Sequence, residues 1–319
     1  MTGVQTCALP ILPSNGPSGY NLTKSLRFRR SASAYLSRTF GSASSTTTGT
    51  FSFWMKRGTL GINYQYLWSA SNYDLAYFDS NDNLWIAYLG NYGYVNTNMV
   101  FRDPSAWYHV MIVFDTPNAT AANRLQVYVN GVSQSLNWGS TPQTQNATWQ
   151  RWNVSGYTGD IGDFQYNHAN PFDGYFAEYY FIDGQALTPS SFGSTDPATG
   201  VWKPAKYTGT YGNNGFYLPF TDVATTSGSN AGLGKDFSGN GNYFNTNNIS
   251  VTTGTTYDSM TDVPTLTNPT TSNYAVMNPV AVSGGTFADG NLTWTSTASD
   301  QHIALSTIPV TSTGNWYCE

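Results

Sequence analysis

The chain has 319 residues, a formal net charge of −5 and only 13 lysines and arginines, so it offers no extended cationic surface to a nucleic acid. It contains no run of eighteen apolar residues, which excludes a helical segment that inserts into a membrane. Only 10% of the residues are charged, whereas Gly, Ser, Thr, Asn and Tyr are abundant. This composition favours strands and turns over helices. We therefore expect an all-β protein.

The first segment, residues 1–11, reads "MTGVQTCALPI". It has no positive leader, and its apolar run is too short for a signal peptide. It resembles the translation of a sequencing-library adapter, and we expect it to be an artefact. Because Cys7 lies in this segment and Cys318 lies beside the other end, the body of the chain has no cysteine and no disulfide framework is expected.

From residue 24 to about 192, short apolar runs alternate with turn residues. "DLAYF" and "LWIAYLG" predict one hairpin, and "WYHVMIVFD" and "RLQVYVNG" predict a second, with a positive-φ turn at Asn130 and Gly131. In the run "SLRFRR", Arg27 and Arg29 share one face, which predicts a solvated strand edge. Two packed antiparallel sheets are expected.

Four landmarks in this region resemble one family. The segments "AWYHVMIVFDT", "NRLQVYVNGV", "GDIGDF" and "FDGYFAEYYFIDGQALTPSSFG" follow in this order. They resemble the laminin G / concanavalin A-like lectin family, in which a W-x-H-V strand, a Y-V-N-G turn, an I-G segment and a G-x-[IF]-x-E strand succeed one another. The resemblance implies a two-sheet antiparallel jelly-roll sandwich over residues 20–194. This fold hosts many activities, so it does not identify the function.

The remaining chain differs in composition and divides into three segments. Residues 195–262 are rich in Gly and Asn and are expected to form an extension that packs on the sandwich. Residues 263–277, with the prolines of "VPTLTNPTTSN", are expected to be a linker. Residues 278–319 end in "GNWYCE" and resemble the first strands of a SPRY-type sandwich. We expect this second β domain to be incomplete and the chain to be a fragment of a longer protein.

Glu178 is the candidate catalytic acid for a sugar-cleaving reaction. A retaining glycosidase requires two carboxyl groups about 5 to 5.5 Å apart. The residue two positions after Glu178 is Tyr180, so an acidic partner on the same strand face is missing. We therefore interpret Glu178 as a polar position on the outer face of a sheet, interpret His109 as a packed strand residue, and assign no catalytic residue.

Calcium is the metal that the composition favours, because it takes oxygen ligands from Asp, Asn and backbone carbonyls. Laminin G-like units often hold calcium at a loop rim through an Asp, which the resemblance places at Asp115 and Asn118, with Asp236 as the next candidate. Each of the three could instead cap a turn.

Sugar binding needs aromatic faces and a few polar groups. The polar loop "NWGSTPQTQNATWQRWNVSGY" carries Trp138, Trp149 and Trp152, and "GNYGYVNTN" carries Tyr92 and Tyr94. These five residues are the predicted ligand-binding set, with core or edge packing as the alternative for each.

The resulting hypothesis is a non-catalytic module that binds carbohydrate or a host surface. A low-charge chain of this composition, with the extension and the SPRY-like segment, resembles bacteriophage tail or virion structural proteins. The resemblance implies a host-surface glycan and other virion proteins as partners, and a location on the virion surface. Two alternatives are a secreted, extracellular bacterial adhesin and a polysaccharide hydrolase of the concanavalin A-like class.

Overall fold

A computed structural model describes residues 19–87, 94–138, 144–268, 270–296 and 303–308. Within these ranges the protein is almost entirely β, which confirms the predicted fold class. The described helices are three single 3-10 turns: Arg30–Ala32, Ala121–Asn123 and Pro189–Ser191. None of the helices in the described ranges is long and apolar enough to cross a membrane.

The first sheet has eight strands. They are β1 (Ser25–Phe28), β3 (Thr48–Arg57), β8 (Trp107–Asp115), β9 (Leu125–Val129), β10 (Val132–Ser133), β13 (Gly174–Asp183), β16 (Phe216–Leu218) and β18 (Ser259–Met260). Their order is β10-β9-β8-β3-β13-β1-β18, and β16 also pairs with β13. All these pairings are antiparallel.

The second sheet also has eight strands. They are β2 (Tyr35–Thr39), β4 (Gln65–Ala70), β5 (Asp74–Phe78), β6 (Asn83–Ala87), β7 (Tyr94–Val100), β11 (Leu136–Trp138), β12 (Thr158–Ile161) and β17 (Asn245–Asn247). Their order is β11-β7-β6-β5-β4-β12-β2-β17, again with antiparallel pairing throughout.

Three small two-stranded sheets complete the described strands. They pair β14 (Gly193–Thr195) with β15 (Trp202–Pro204), β19 (Met277–Val282) with β22 (Ala304–Ser306), and β20 (Thr286–Ala288) with β21 (Thr293–Thr295).

The main core lies between the two large sheets, where each sheet contributes alternate side chains. Phe51 of the first sheet stacks on Trp68 of the second, with ring centroids 4.4 Å apart. The two predicted hairpins are present as β5–β6 and β8–β9. Asn130 and Gly131 both adopt positive φ between β9 and β10, because this turn matches the twist of the strands it joins.

The chain beyond residue 194 does more than rest on the sandwich. It supplies β17 to the second sheet and β16 and β18 to the first. The predicted linker and the SPRY-like segment also contact the sandwich: Lys56 Nζ donates to Asn273 at 2.8 Å, and Asn291 donates to the carbonyl of Gly58 at 3.0 Å. Together with the segment before β1, these residues cover the outer face of the first sheet.

Arg27 and Arg29 lie under this cover, which corrects the prediction of a solvated strand edge. Both side chains are buried, and both bind the buried carboxylate of Asp258, at 3.2 and 2.8 Å. Strand alternation placed the two arginines on one face correctly. The acid that pairs with them lies more than two hundred positions away in the sequence, and it makes that face a buried one.

Candidate functional site

Trp149 and Trp152 belong to the main core, which corrects their assignment to a ligand surface. Both are buried, and the Trp152 ring packs on Phe51 and Trp68 at centroid distances of 5.1 Å each. Trp149 packs on Phe114 at 4.3 Å. The loop that carries them folds inward because these rings fill the space between the sheets.

Trp138 is half-buried at the end of β11 and lines a cavity of about 250 Å³ at the edge of the sandwich. Gln126 and Gln134 line the same cavity, so an indole and two amides meet there. Its role in binding a ligand stays a prediction. Tyr92, also predicted to bind ligand, lies outside the described residues.

Tyr94 begins β7 on the outer face of the second sheet, where it is 42% exposed. This face carries further aromatic side chains that the sequence analysis did not select. In register across three neighbouring strands, Trp85 of β6 stands opposite Tyr77 of β5, and Tyr77 stands opposite Tyr66 of β4. The rings of Tyr77 and Trp85 stack at 6.2 Å, and those of Tyr66 and Tyr77 are 5.4 Å apart.

The loop after β12 continues this line of rings. Phe164 stacks on Tyr66 at 4.5 Å with nearly parallel planes, and Tyr166 follows at 6.0 Å from Phe164. We call Trp85, Tyr77, Tyr66, Phe164 and Tyr166 the aromatic row. Among the described residues, the apolar cluster on this face draws only on β4, β5, β6 and Phe164. Tyr66 and Tyr77 are buried within this cluster, at 7% and 8% exposure, whereas Trp85 and Phe164 are half-buried beside them.

The row is accompanied by exposed rings and polar groups. Tyr166 is 67% exposed, and Tyr64, whose ring lies 5.3 Å from that of Tyr77, is 43% exposed. Trp85 Nε1 donates to Asp79 at 2.9 Å. Burial raises the pKa of Tyr66 to about 12, so its hydroxyl stays protonated at any physiological pH. The surface therefore offers flat apolar rings edged by neutral hydroxyl groups.

An irregularity in β4 explains why strand periodicity alone does not reveal the row. The register shifts between Tyr66 and Trp68, so that Leu67 and Trp68 both face the core while Tyr66 faces outward. Strict alternation would place Tyr66 and Trp68 on the same face. A signal was nevertheless available, since Tyr77 and Trp85 occupy alternating positions in the predicted β5–β6 hairpin.

Glu178 lies on the outer face of the first sheet, as expected, but it is buried, which corrects its interpretation as a surface position. The register of β13 shifts between Ala177 and Tyr180, and Glu178 takes a φ of +50° at this bulge. Its carboxylate accepts hydrogen bonds from the hydroxyls of Tyr20, Tyr180 and Tyr217, at 2.6 to 2.8 Å. Burial raises the pKa of Glu178, and the three hydroxyls oppose this rise.

His109 lies on the same covered face, close to Glu178. Its Nε2 lies 2.8 Å from Ser52 Oγ, an arrangement that resembles a nucleophile and its base. The small cavity that these residues line admits no water, and burial lowers the pKa of His109 to about 3. His109 is thus a buried strand residue that packs against Ser52, as predicted.

The residues predicted to bind calcium act as caps of turns. Asn118 Nδ2 donates to Asp115 at 2.9 Å within one turn. Asp236 accepts from the backbone of Tyr217 and from Ser238 and Asn242, and it shares no hydrogen-bond partner with Asp115. The structure thus does not bring the three residues to one site. A different group, Asp160, Asp163 and His168, has its possible ligand atoms within 4.8 Å of one another.

Comparison with known proteins supports the fold. The family model described as the concanavalin A-like lectin/glucanases superfamily matches residues 30–191. A search among curated protein sequences finds no match.

Solved structures similar to the chain include three proteins from different organisms. A candidate carbohydrate-binding protein from Bacteroides ovatus has a TM-score of 0.48 at 16% identity, covering 71% of this chain and 58% of its own. A heptameric pentraxin from Limulus polyphemus has a TM-score of 0.36 at 18% identity, covering 52% and 77%. Domain 4 of an arabinanase from Geobacillus stearothermophilus, in complex with arabinotriose, has a TM-score of 0.32 at 19% identity, covering 46% and 65%. These likenesses carry no information on the ligand of the present chain.

Proposed function

The chain belongs to the concanavalin A-like lectin/glucanases superfamily, and on this premise we propose that it is a non-catalytic glycan-binding module whose binding surface is the aromatic row. The observation that carries the proposal is the register of Trp85, Tyr77 and Tyr66 across three strands on the outer face of the second sheet, continued by the exposed ring of Tyr166. A row of rings held by a rigid sheet is preorganised, so little side-chain entropy is lost when a ligand binds.

The chemistry of the row matches that of a sugar chain. Pyranose rings have apolar C–H faces that pack on aromatic faces, and their hydroxyls need donors and acceptors at the edge. The exposed side chains of Tyr64 and Tyr166 carry hydroxyl groups of this kind beside the row. Phe164 and Tyr166 extend the surface beyond the sheet, so it suits a chain of several sugar units better than a single one.

A second aromatic cavity is less suited to sugar. It measures about 470 Å³ on the outer face of the first sheet and is lined by Trp54, Trp107 and Trp202. Its two amide side chains are already engaged: Asn130 accepts from the backbone of His109, and Asn273 binds Lys56 and Ser105. These contacts leave fewer of the amide groups free to bind sugar hydroxyls.

The proposal of a non-catalytic role rests on how accessible the acidic side chains are to a substrate. Glu178 is buried beneath the cover of the first sheet. Asp160 and Asp163 lie close together beside His168, but both of their side chains are buried, at 1% and 0% exposure. The burial of these three carboxylates supports a non-catalytic role.

We further infer that the glycan belongs to a host cell surface and that the module is part of a phage tail or virion protein. The low charge, the composition rich in Ser, Thr, Asn and Tyr, and the SPRY-like character of residues 278–319 support this inference. A secreted bacterial adhesin is the alternative. The genes that flank the intact reading frame distinguish them, since tail genes support the first and a secretion signal supports the second.

A glycan array with the full chain tests the proposal, comparing the wild type with Tyr166→Ala and Trp85→Ala. Each substitution is expected to weaken binding about two- to tenfold, because an aromatic contact contributes about 0.5–1.5 kcal/mol. Tyr157→Ala is the matched control, since Tyr157 is 41% exposed and lies outside the row.

Two outcomes contradict the proposal. Binding that survives both substitutions in the row but is lost in Trp138→Ala would move the site to the cavity at the sheet edge. Release of reducing ends from a bound oligosaccharide would show a hydrolase instead.

A further inference from the structure

Three side chains that can bind a metal converge beside the aromatic row. Asp160 lies in β12, Asp163 lies two residues after this strand, and His168 follows in a turn with a φ of +53°. His168 Nδ1 lies 3.0 Å from Asp163 Oδ2 and 3.4 Å from Asp160 Oδ2. The chain between Asp163 and His168 carries Phe164 and Tyr166, the last two rings of the row.

Asp160 lacks the partners that a buried carboxylate needs. Its side chain is 1% exposed, and neither of its oxygens accepts a hydrogen bond. Asp163, by contrast, accepts from the backbone of Phe164 at 2.7 Å. Among the described residues, no lysine or arginine forms an ion pair with either acid. An unpartnered buried carboxylate is costly, so a buried acid of this kind usually holds a proton or a cation.

We propose that Asp160, Asp163 and His168 form a binding site for a divalent transition-metal ion of the zinc class. Ligand atoms about 2.1 Å from one ion lie about 3.0 to 3.4 Å apart at octahedral or tetrahedral angles. The two distances from His168 Nδ1, 3.0 and 3.4 Å, match this spacing. The imidazole ligand favours zinc over calcium, which takes oxygen ligands.

The surroundings agree with a metal site. His168 is 46% exposed, which leaves a solvent path and room for water to complete the coordination. Its ring stacks on Tyr35 at 4.6 Å, and its backbone N–H donates to the carbonyl of Phe164 at 2.7 Å, so both ring and backbone are fixed. A bound ion would tie β12 to the loop that presents Phe164 and Tyr166.

A retained proton is the competing explanation for Asp160. Burial first, and then the charge of Asp163, raise the pKa of Asp160 to about 8. A proton satisfies one carboxyl group only, whereas a divalent ion binds all three side chains at once. Metal binding that depends on each of the three residues distinguishes the two explanations.

The test is calorimetric titration of the full chain with ZnCl2, MnCl2 and CaCl2 after removal of metals by a chelator. All variants carry Cys7→Ser and Cys318→Ser, so that neither thiol binds zinc. We expect one zinc ion per chain, with binding weakened at least about tenfold in Asp160→Asn and in His168→Asn. Asp222→Asn is the matched control, since this exposed acid lies opposite Lys235 at 4.0 Å and should bind zinc as the parent chain does.

Substitution with CoCl2 provides a second measurement on the unmutated site. The visible absorption of bound cobalt reports the ligand field at the site, and this signal should change or disappear in His168→Asn. Zinc binding that is absent, or that is unchanged in Asp160→Asn, overturns the proposal. Binding of calcium without zinc or cobalt overturns the assigned metal class. None of these measurements requires a glycan, so they are independent of the proposed function.

Discussion

The outer faces of the two sheets have similar side chains and opposite surroundings. On the first sheet, Tyr180 and Tyr217 are buried and stack at 4.4 Å. On the second sheet, Tyr64 and Tyr94 are more than 40% exposed. The chain beyond residue 194, together with the segment before β1, covers the first sheet. Among the described residues, the cluster on the outer face of the second sheet is formed by its own strands β4 to β6 and Phe164.

Tyrosine can lie on a buried face or on an exposed face because it has an apolar ring and a polar hydroxyl group. On the covered face the hydroxyls are directed at a buried carboxylate, and the rings form a secondary core. On the outer face of the second sheet, Tyr64 and Tyr166 instead expose much of their side chains to solvent. Four predictions test this contrast, from the largest expected effect to the smallest.

Asp258→Ala should destabilise the cover of the first sheet most strongly. It removes the carboxylate that binds Arg27 and Arg29 and leaves two buried guanidinium groups unpaired. We expect the free energy of unfolding to fall by about 3–5 kcal/mol, measured by urea denaturation. The exposed change Asp222→Asn should alter it by less than about 0.5 kcal/mol. An equal effect of both would show that the arginines find other partners.

Trp152→Ala should affect the core that both sheets share. Loss of this buried ring should lower the free energy of unfolding by about 3–5 kcal/mol and leave glycan affinity of the folded protein unchanged. Urea denaturation and a binding titration below the unfolding transition measure the two effects. Lost affinity at wild-type stability would return Trp152 to the ligand surface.

Lowering the pH should reduce the free energy of unfolding because of buried His109 on the covered face. The buried ring stays neutral in the folded protein, because burial lowers its pKa to about 3. The unfolded chain binds a proton below its ordinary pKa of about 6.5, so the contribution of His109 to stability is complete above that pH. Between about pH 6.5 and pH 3 we expect a loss of up to roughly 1.4 kcal/mol per pH unit.

The comparison with His109→Gln isolates this effect, because the other titrating groups are the same in both proteins. The difference in unfolding free energy between the two, measured by urea denaturation at each pH, should change as the pH falls. A constant difference from pH 7 to pH 4 would mean that the folded protein protonates His109 freely.

The smallest effect should come from removing a single hydroxyl on each face. Tyr217→Phe deletes a donor to buried Glu178 and should lower the free energy of unfolding by about 1.5–3 kcal/mol. Tyr166→Phe makes the same change on the outer face of the second sheet and should alter it by less than about 0.5 kcal/mol. Thermal unfolding of both variants measures the two changes in stability. Equal losses would show that the second face is also covered.

Part of the candidate site could be read from strand patterns. Tyr77 and Trp85 follow from alternation in a correctly predicted hairpin. Tyr94 was selected as an aromatic residue in a polar segment, and the structure places it at the start of β7. Trp149 and Trp152 were misassigned because a polar loop carries them, and only the packing between the sheets shows that their rings fold inward. Asp160, Asp163 and His168 were missed because their separations match no metal-binding motif.

The sequence by itself determined the sheet architecture, the two hairpins and the turn at Asn130, since each depends on side chains that are neighbours along the chain. Only the tertiary structure decided which faces meet solvent. Bulges at Tyr66 and Glu178 reverse the alternation of inward and outward side chains in the rest of each strand. The residues that cover the first sheet lie far away in the sequence. Exposure depends on these long-range contacts, and local periodicity does not record them.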